Sequence, residues 1–236
     1  MYHSVKDSQR VSFSKQLKFI KRYCHAVPAD YKGKLQNYRR YISVTFDDAY
    51  QNFISNVLHE IKKYGIPTTL FIPTGNLGKK PEWVTDPTYD YINETVMTKV
   101  QLNQLPLDLI TIGSHTVTHP HLTKVSKEIV KKELSDSKKT LEEIFHNDIN
   151  LFSLPYGSYN SDILKYAKSV GYERVFLNIP SFPFSGLNTF LIGRIDISPD
   201  DWPIEYRLKI LGAYQWLSVA IFIKRKLHRF LSVLRK

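Results

Sequence analysis

Two short stretches of this 236-residue chain concentrate groups that can hold a metal ion and move a proton. Asp47 and Asp48 are adjacent and close the apolar run 42–46. His115 and His119 stand four residues apart in Ser114-His115-Thr116-Val117-Thr118-His119-Pro120, directly after the run 110–113. Taken alone, such a His pair is as often a surface or capping feature as a site, and acids at strand ends often cap helices. Two clusters at the ends of two strands favour one shared site. Two imidazoles and one carboxylate form a common catalytic zinc set that leaves a position for water. Pro120 disfavours helical backbone at His119, so the pair belongs in a loop or a first turn. Neighbouring side chains at a strand end point to opposite sides, so one aspartate can ligate while the other faces the water. Water on a divalent ion has its pKa lowered to about 7. A carboxylate that takes its proton contributes roughly 10² to 10⁴ in rate. The resulting oxyanion needs donors, and a backbone N–H on the Pro155-Tyr156-Gly157 turn is a candidate. Together these groups suit hydrolysis of an amide or ester.

The elements that must carry these groups read as alternating strands and helices. Short β-rich runs lie at 2–5, 41–46, 68–72, 109–113, 150–154, 174–177 and 190–195. Between most of them, apolar residues recur at helical spacing: Phe13, Leu17, Ile20 and Cys24; Phe53, Val57, Ile61 and Tyr64; Val130, Leu134, Ser137, Leu141 and Phe145; Ile163, Tyr166 and Val170. Asn160 is placed to cap the last of these helices and Gly171 to end it. This rhythm predicts an α/β fold with parallel strands and right-handed crossovers. Seven strands suit a barrel, with an open doubly wound sheet as the competing layout. In a barrel, chemistry belongs at the carboxyl ends of the strands, where these clusters fall.

Composition narrows the classes further. Hydrophobic residues make up 42% and charged residues 23%, so a wholly disordered chain is excluded. Cys24 is the lone cysteine, which excludes intrachain disulfides and cysteine-based zinc clusters. The net charge is +11, but residues 207–236 hold eight Lys/Arg and no acid, leaving only +3 on residues 1–206. Such a near-balanced body, without a recognisable nucleic-acid module, argues against a basic nucleic-acid-binding protein. One domain over 1–206 with an appendage at 207–236 is the expected partition. The run 216–223 is too short to span a bilayer, which needs about 20 residues. With the cations that follow, it reads as a basic amphipathic helix suited to an anionic membrane surface, or as a helix packed on the barrel. No secretory signal opens the chain, which points to the cytoplasm, peripheral at the inner membrane face. The abrupt start at Met1 is also compatible with residues missing upstream.

Thr45-Phe46-Asp47-Asp48, Ser114 to Pro120, Leu154-Pro155-Tyr156-Gly157 and Asp196 with Asp201-Trp202 resemble, in this order, the motifs of the polysaccharide deacetylases. These are the NodB-homology proteins of carbohydrate esterase family four, and the resemblance covers residues 1–202. It implies a distorted seven-stranded (β/α) barrel, TIM-barrel-like, that removes acetyl groups from an N-acetylated oligo- or polysaccharide in cell-surface polysaccharide biosynthesis or modification. The sugar is polymeric, lipid-linked or nucleotide-linked. By the resemblance Asp47 is the general base, and Asp48, His115 and His119 hold a divalent metal, most often Zn²⁺, with Co²⁺ or Mn²⁺ also suited to such ligands. The Tyr156 backbone helps hold the oxyanion, Pro155 is a further substrate-binding residue, and Trp202 walls the pocket for the acetyl methyl. Three positions depart from the pattern. Ala49 replaces a usual Gly, Ser153 replaces an Arg that braces the base, and the late Leu-x-His motif is not evident, since His228 follows Leu227 directly. Arg194 is the expected substitute guanidinium, and His3, at the mouth of the barrel, the expected general acid. The departures leave a non-catalytic carbohydrate-binding descendant as the alternative. His25, His59 and His146 read as structural, and His121 as part of the pocket rim. Tyr89 and Tyr91, in a polar insertion at 75–97, would stack on sugar rings or pin the loop.

Overall fold

A computed structural model describes residues 1–86, 88–89, 91–180, 190–214 and 216. The run expected as one strand at 41–46 splits at Ser43. β1 (His25–Ala26) pairs in parallel with β2 (Tyr41–Ile42), while β3 (Val44–Phe46) begins the main sheet. At the split, the Ser43 hydroxyl donates to Pro28 O at 3.3 Å. The main sheet continues through β4 (Thr68–Ile72), β5 (Ile110–Ser114), β6 (Leu151–Ser153), β7 (Arg174–Leu177) and β8 (Leu191–Gly193). These six strands are hydrogen-bonded in sequence order, and every pair is parallel. β3, β4 and β6 are buried along their whole length, as sheets covered on both faces require.

The barrel-like sheet thus has six strands rather than the expected seven. The seventh run, 2–5, contributes a single parallel bridge between Tyr2 and Phe46. Side-chain amides capture the backbone and side chains beyond it. Asn56 Nδ2 donates to Val5 O at 2.8 Å, and Asn52 Nδ2 donates to Ser4 Oγ at 2.6 Å. That one rung nonetheless spans the gap between the first and last strands. Tyr2 N donates to Thr45 O and Asp47 N to Tyr2 O, while Ile197 N donates to Met1 O.

Helices pack outside the sheet. α1 (Arg10–Tyr23) buries Phe13, Leu17 and Ile20. α2 (Leu58–Tyr64) is entered through a π-helical turn at Phe53–Val57 and ends at Gly65, whose φ of +60° only glycine adopts without strain. α3 (Lys99–Leu102) opens with a Thr98/Gln101 capping box. α4 (Lys127–Phe145) lays Val130, Leu134, Ser137 and Leu141 on the sheet. α5 (Ser161–Ser169) is capped by Asn160, as expected. α6 (Pro203–Ile210) buries Tyr206, whose hydroxyl donates to Gln16 O at 3.0 Å. The expected domain boundary at 206 therefore falls inside a helix. The amphipathic tail reading rests on residues 217–236, which lie outside the described residues. Among the described residues no helix is long and apolar enough to cross a membrane.

One glycine is required by packing. A Cβ on Gly113 would meet the Phe71 ring at 2.4 Å and the Leu151 Cβ at 3.3 Å. Gly113→Ala should therefore lower stability by about 1–3 kcal/mol through overpacking, read as an earlier denaturation midpoint at unchanged slope. An unshifted midpoint would show that Phe71 can move aside freely.

Candidate metal centre and catalytic pocket

The strand ends deliver their polar groups through backbone that few residues accept. After β3 the chain turns back with Asp48 at φ +70° and Ala49 at φ +49°. Left-handed backbone explains why glycine suits position 49, and alanine there carries strain of order 1 kcal/mol or more. After β5, Thr116 (φ +69°) and His119 (φ +57°) do the same, which keeps both histidines off any helix as Pro120 predicted. Glu133, buried on α4, clamps this loop. Its carboxylate accepts from Val117 N at 2.8 Å, Thr118 N at 2.9 Å and Thr118 Oγ1 at 2.7 Å. After β6, Tyr156 (φ +56°) sits in the Pro155–Gly157 turn, whose hydrogen bonds run from Gly157 N and Ser158 N and leave the Tyr156 N–H outside them.

Asp48, His115 and His119 converge as buried groups. His119 Nε2 lies 3.1 Å from His115 Nε2, and Asp48 Oδ1 lies 3.7 Å and 3.6 Å from them, respectively beside His115 and His119. Three ligands about 2.0–2.2 Å from one ion in tetrahedral directions would stand roughly 3.3–3.6 Å apart, so the triangle is of the right size. His115 Nδ1 donates to Ser153 O at 2.8 Å, which fixes the tautomer and turns the Nε2 lone pair inward. Asp48 Oδ1 has no hydrogen-bond partner. Burial pushes the Asp48 carboxyl upward and pushes His119 well below the usual imidazole range, with His115 adding to the latter. A buried oxygen without a donor and two neutral nitrogens facing it are what a divalent cation would satisfy, so the residues present fit a metal.

Asp47 faces a different partner. Arg194 Nη1 donates to Asp47 Oδ1 and Nη2 to Asp47 Oδ2, both at 2.7 Å. The remaining guanidinium donors reach Thr45 Oγ1, Ser153 Oγ and Leu177 O. All five N–H groups are thereby used. The Ser153 hydroxyl also donates to Asp47 Oδ2 at 3.1 Å. The small Ser153 side chain leaves room for the Arg194 guanidinium, whose Nη2 donates to the Ser153 hydroxyl at 2.7 Å. Burial would raise the Asp47 pKa, but the Arg194 charge outweighs it, with His115 contributing, and holds the carboxyl well below its usual range. Phe71 and Phe176 flank the guanidinium at 5.1 and 5.7 Å.

Aromatic rings surround this centre. Trp83, from the insertion at 75–97, stacks on His119 with centroids 4.6 Å apart, and Tyr156 meets the same imidazole edge-on at 4.7 Å. Tyr156 also stacks on His121 at 3.8 Å, placing His121 at the rim. His3 stacks on Tyr91 at 5.6 Å and lies within electrostatic reach of both aspartates. Tyr91 in turn stacks on Tyr89 and on the buried Tyr50. The structure does not bring Trp202 to this group. Its side chain is 75% exposed at the start of α6, with no ring contact to the site among the described residues. His146 ends α4 in a left-handed cap and His25 packs on Tyr41, both structural as read. Sequence reasoning missed Trp83 and Glu133. The signal for Glu133 was an acid on the inward face of α4, three residues after Val130. Trp83 stands in irregular chain, where no periodicity marks it.

A parallel, barrel-like α/β sheet with its polar cluster at the carboxyl ends of the strands defines the general class. Within it, the chain belongs to the polysaccharide deacetylase family, whose sequence model matches residues 34–175. YxkH of Bacillus subtilis (strain 168), named after the same family, is 27% identical over 158 residues, 67% of this chain and 52% of that protein. The poly-β-1,6-N-acetyl-D-glucosamine N-deacetylase of Staphylococcus aureus (strain MRSA252) is 27% identical over 179 residues, 72% of this chain and 59% of that protein. The chain thus spans little more than half the length of these curated relatives. The Streptococcus pyogenes deacetylase PplD, solved with acetate, superposes with a TM-score of 0.70 at 20% identity, covering 89% of this chain and 94% of that one. IcaB from Ammonifex degensii superposes at 0.72 and 19% identity, covering 91% and 94%. At such identities the superpositions speak for the fold.

Two outcomes follow from this geometry. Zinc at a hundredfold excess over its dissociation constant should stabilise the protein by about 2.7 kcal/mol, seen as a raised melting temperature that chelator reverses. His119→Ala should abolish the rise, and an equal rise in that variant would place the ion elsewhere. Arg194→Met should cost about 3–5 kcal/mol at neutral pH by stranding a buried carboxylate. Asp47 is depressed in the folded protein, so the pair's stabilisation holds above the unfolded value of about 3.9 and fades as pH falls below it. In the variant, unopposed burial raises the same pKa, so protonation relieves the penalty. The deficit should therefore shrink between pH 7 and pH 4 in denaturant titrations, and a deficit constant over that interval would contradict the pairing.

Proposed function

We propose that the protein is a metal-dependent hydrolase that removes acetyl groups from an N-acetylated saccharide. The observation that carries this reading is the buried Asp47, held by Arg194 and set beside the Asp48, His115 and His119 triangle. Asp48, His115 and His119 would hold the ion, most simply Zn²⁺, with Co²⁺ or Mn²⁺ as substitutes. When bound, a divalent cation supplies Lewis acidity toward water and the acetyl carbonyl.

The chain's own groups do the rest. Asp47, ionised and fixed on both oxygens, accepts the proton of the attacking water without reorienting. The Tyr156 N–H, on its left-handed turn after the buried Pro155, donates to the oxyanion as the carbonyl becomes tetrahedral. His3 hands a proton to the departing amine as general acid. Trp83 and Tyr156 hold the His119 ring and exclude water from it. Trp202, three-quarters exposed, is assigned no part in the acetyl pocket on this reading.

Acetate release from N-acetylated saccharides tests the proposal, with poly-β-1,6-N-acetyl-D-glucosamine first because the Staphylococcus relative is named for it. Release should stop with chelator and return with Zn²⁺. Asp47→Asn should lose roughly 10² to 10⁴ in rate while keeping the zinc-induced rise in melting temperature. Saccharide binding without acetate release in the zinc-loaded protein would instead identify a carbohydrate-binding descendant.

A further inference from the structure

Away from the strand-end centre, a second set of oxygen-bearing side chains lines an open cleft of about 740 Å³. Three stretches of chain border it: residues 6–8, which follow His3; residues 51–56, which lead into the π-helical turn; and Glu94, near the end of the 75–97 insertion. Asp7 and Glu94 bring carboxylates, while Asn52, Asn56 and Ser55 bring amide and hydroxyl oxygens. No histidine or cysteine lines it among the described residues, so an ion that seeks nitrogen or sulfur finds no donor here.

Two of these oxygens are buried and left over. Asn52 gives its Nδ2 to Ser4 Oγ at 2.6 Å, and Asn56 gives its Nδ2 to Val5 O at 2.8 Å. Oδ1 of each has no hydrogen-bond partner. The bonds that fix each nitrogen also fix the direction of its oxygen, and residues four apart share one helical face. Such oxygens call for a donor or a cation. The charge of the lining decides between the two, because Asp7 and Glu94 outnumber Lys6 and leave it net negative. Carboxylates and amide carbonyls are the donor set of a hard divalent cation. Ca²⁺ suits them better than Mg²⁺, since it accepts irregular oxygen geometry and an open cleft supplies the remaining ligands as water.

An ion here would join stretches that few other bonds connect. Residues 6–8 follow the single rung at Tyr2, and Gln9 N donates to Lys6 O at 2.9 Å. Glu94 lies between Tyr91 and Val96, where Tyr50 bridges Val96 and Gln51 N donates to Thr95 O at 2.8 Å. His3 and Tyr91, which stack on each other, hang from two of these stretches.

We propose that this cleft is a structural Ca²⁺ site, separate from the candidate metal centre, that cross-links the stretch after His3 to the turn after Asp48 and to the end of the insertion. It stands whether or not the protein is a deacetylase.

Thermal unfolding in calcium chloride tests it, set against magnesium chloride at equal concentration. Both wild type and His119→Ala are used, because the second lacks a ligand of the strand-end centre. A site with two carboxylates predicts a dissociation constant of about 10⁻⁴ to 10⁻³ M. The melting temperature should rise over that range in both proteins, and Mg²⁺ should raise it less. Asp7→Asn and Glu94→Gln, neither at a buried side chain, should each weaken the response to Ca²⁺ by about tenfold. Lys6→Gln removes a like charge and should strengthen it. Circular dichroism checks that each variant is folded before titration. Amide exchange then places the ion: Ca²⁺ should slow exchange at Gln9 and Gln51, whose bonds flank the cleft, and leave β6 and β7 unchanged. An equal rise with Mg²⁺, a rise lost in His119→Ala, or one unaltered by both carboxylate variants would overturn the site, as would a weaker response in Lys6→Gln.

Discussion

The ion pair between Arg194 and Asp47 is the interaction on which the rest of the barrel depends. Burying two charges is expensive, and their attraction compensates only when every remaining donor and acceptor is also satisfied. The structure meets that condition by recruiting four strands. Thr45 comes from β3, Ser153 from β6, the Leu177 carbonyl from β7, and Arg194 itself follows β8. One guanidinium therefore cross-links four of the six strands. Phe71 and Phe176 close over its faces, and Gly113 supplies the room that Phe71 occupies. The barrel interior here is a polar plug against Phe71 and Phe176, which cluster with Ala29, Leu151 and Ile192. The same arrangement keeps Asp47 ionised beside the Asp48, His115 and His119 triangle.

The candidate metal-site side is organised by strain rather than by charge. Asp48, Ala49, Thr116, His119 and Tyr156 all hold left-handed backbone, a conformation that persists only where the surroundings over-determine it. Glu133 is the clearest such surrounding, since three hydrogen bonds on one carboxylate hold the loop between the two histidines. The two ligands are then oriented by different means. His115 is set by its bond to Ser153 O, whereas His119 is set by rings on two sides.

Much of this was legible from residue types and spacing, because two polar clusters at the ends of two parallel strands favour one shared site where either alone would not. Short β-rich runs alternating with period-3.6 patterns located the parallel sheet, and Asn160 marked a helix start that the structure contains. What could not be read was decided by long-range competition. The Asn56 side-chain amide takes up the Val5 carbonyl that a ladder would have used, and a strand-like run becomes one rung. The run 41–46 looked continuous because nothing in its composition reveals that Ser43 is held by Pro28 O. Trp202 carried a family expectation that geometry does not meet, and Trp83, in irregular chain, carried none and lies on a ligand. Position 49 shows the converse, where a residue departing from a pattern became intelligible once its φ was known.

The single rung at Tyr2 has a thermodynamic consequence. Thr45, Tyr2, Asp47, Met1 and Ile197 form one short chain of amide bonds, and no ladder between β3 and β8 backs it up among the described residues. His3 is the next residue along. Tyr2 is itself buried against Phe13 and Phe46, so opening the rung that precedes His3 means pulling a ring from the core as well as breaking amide bonds. Amide protons of Tyr2, Asp47 and Ile197 report the closed population of the barrel directly. Because Tyr2 and His3 are consecutive, protection of the Tyr2 amide reports on the segment that sets His3 against Tyr91.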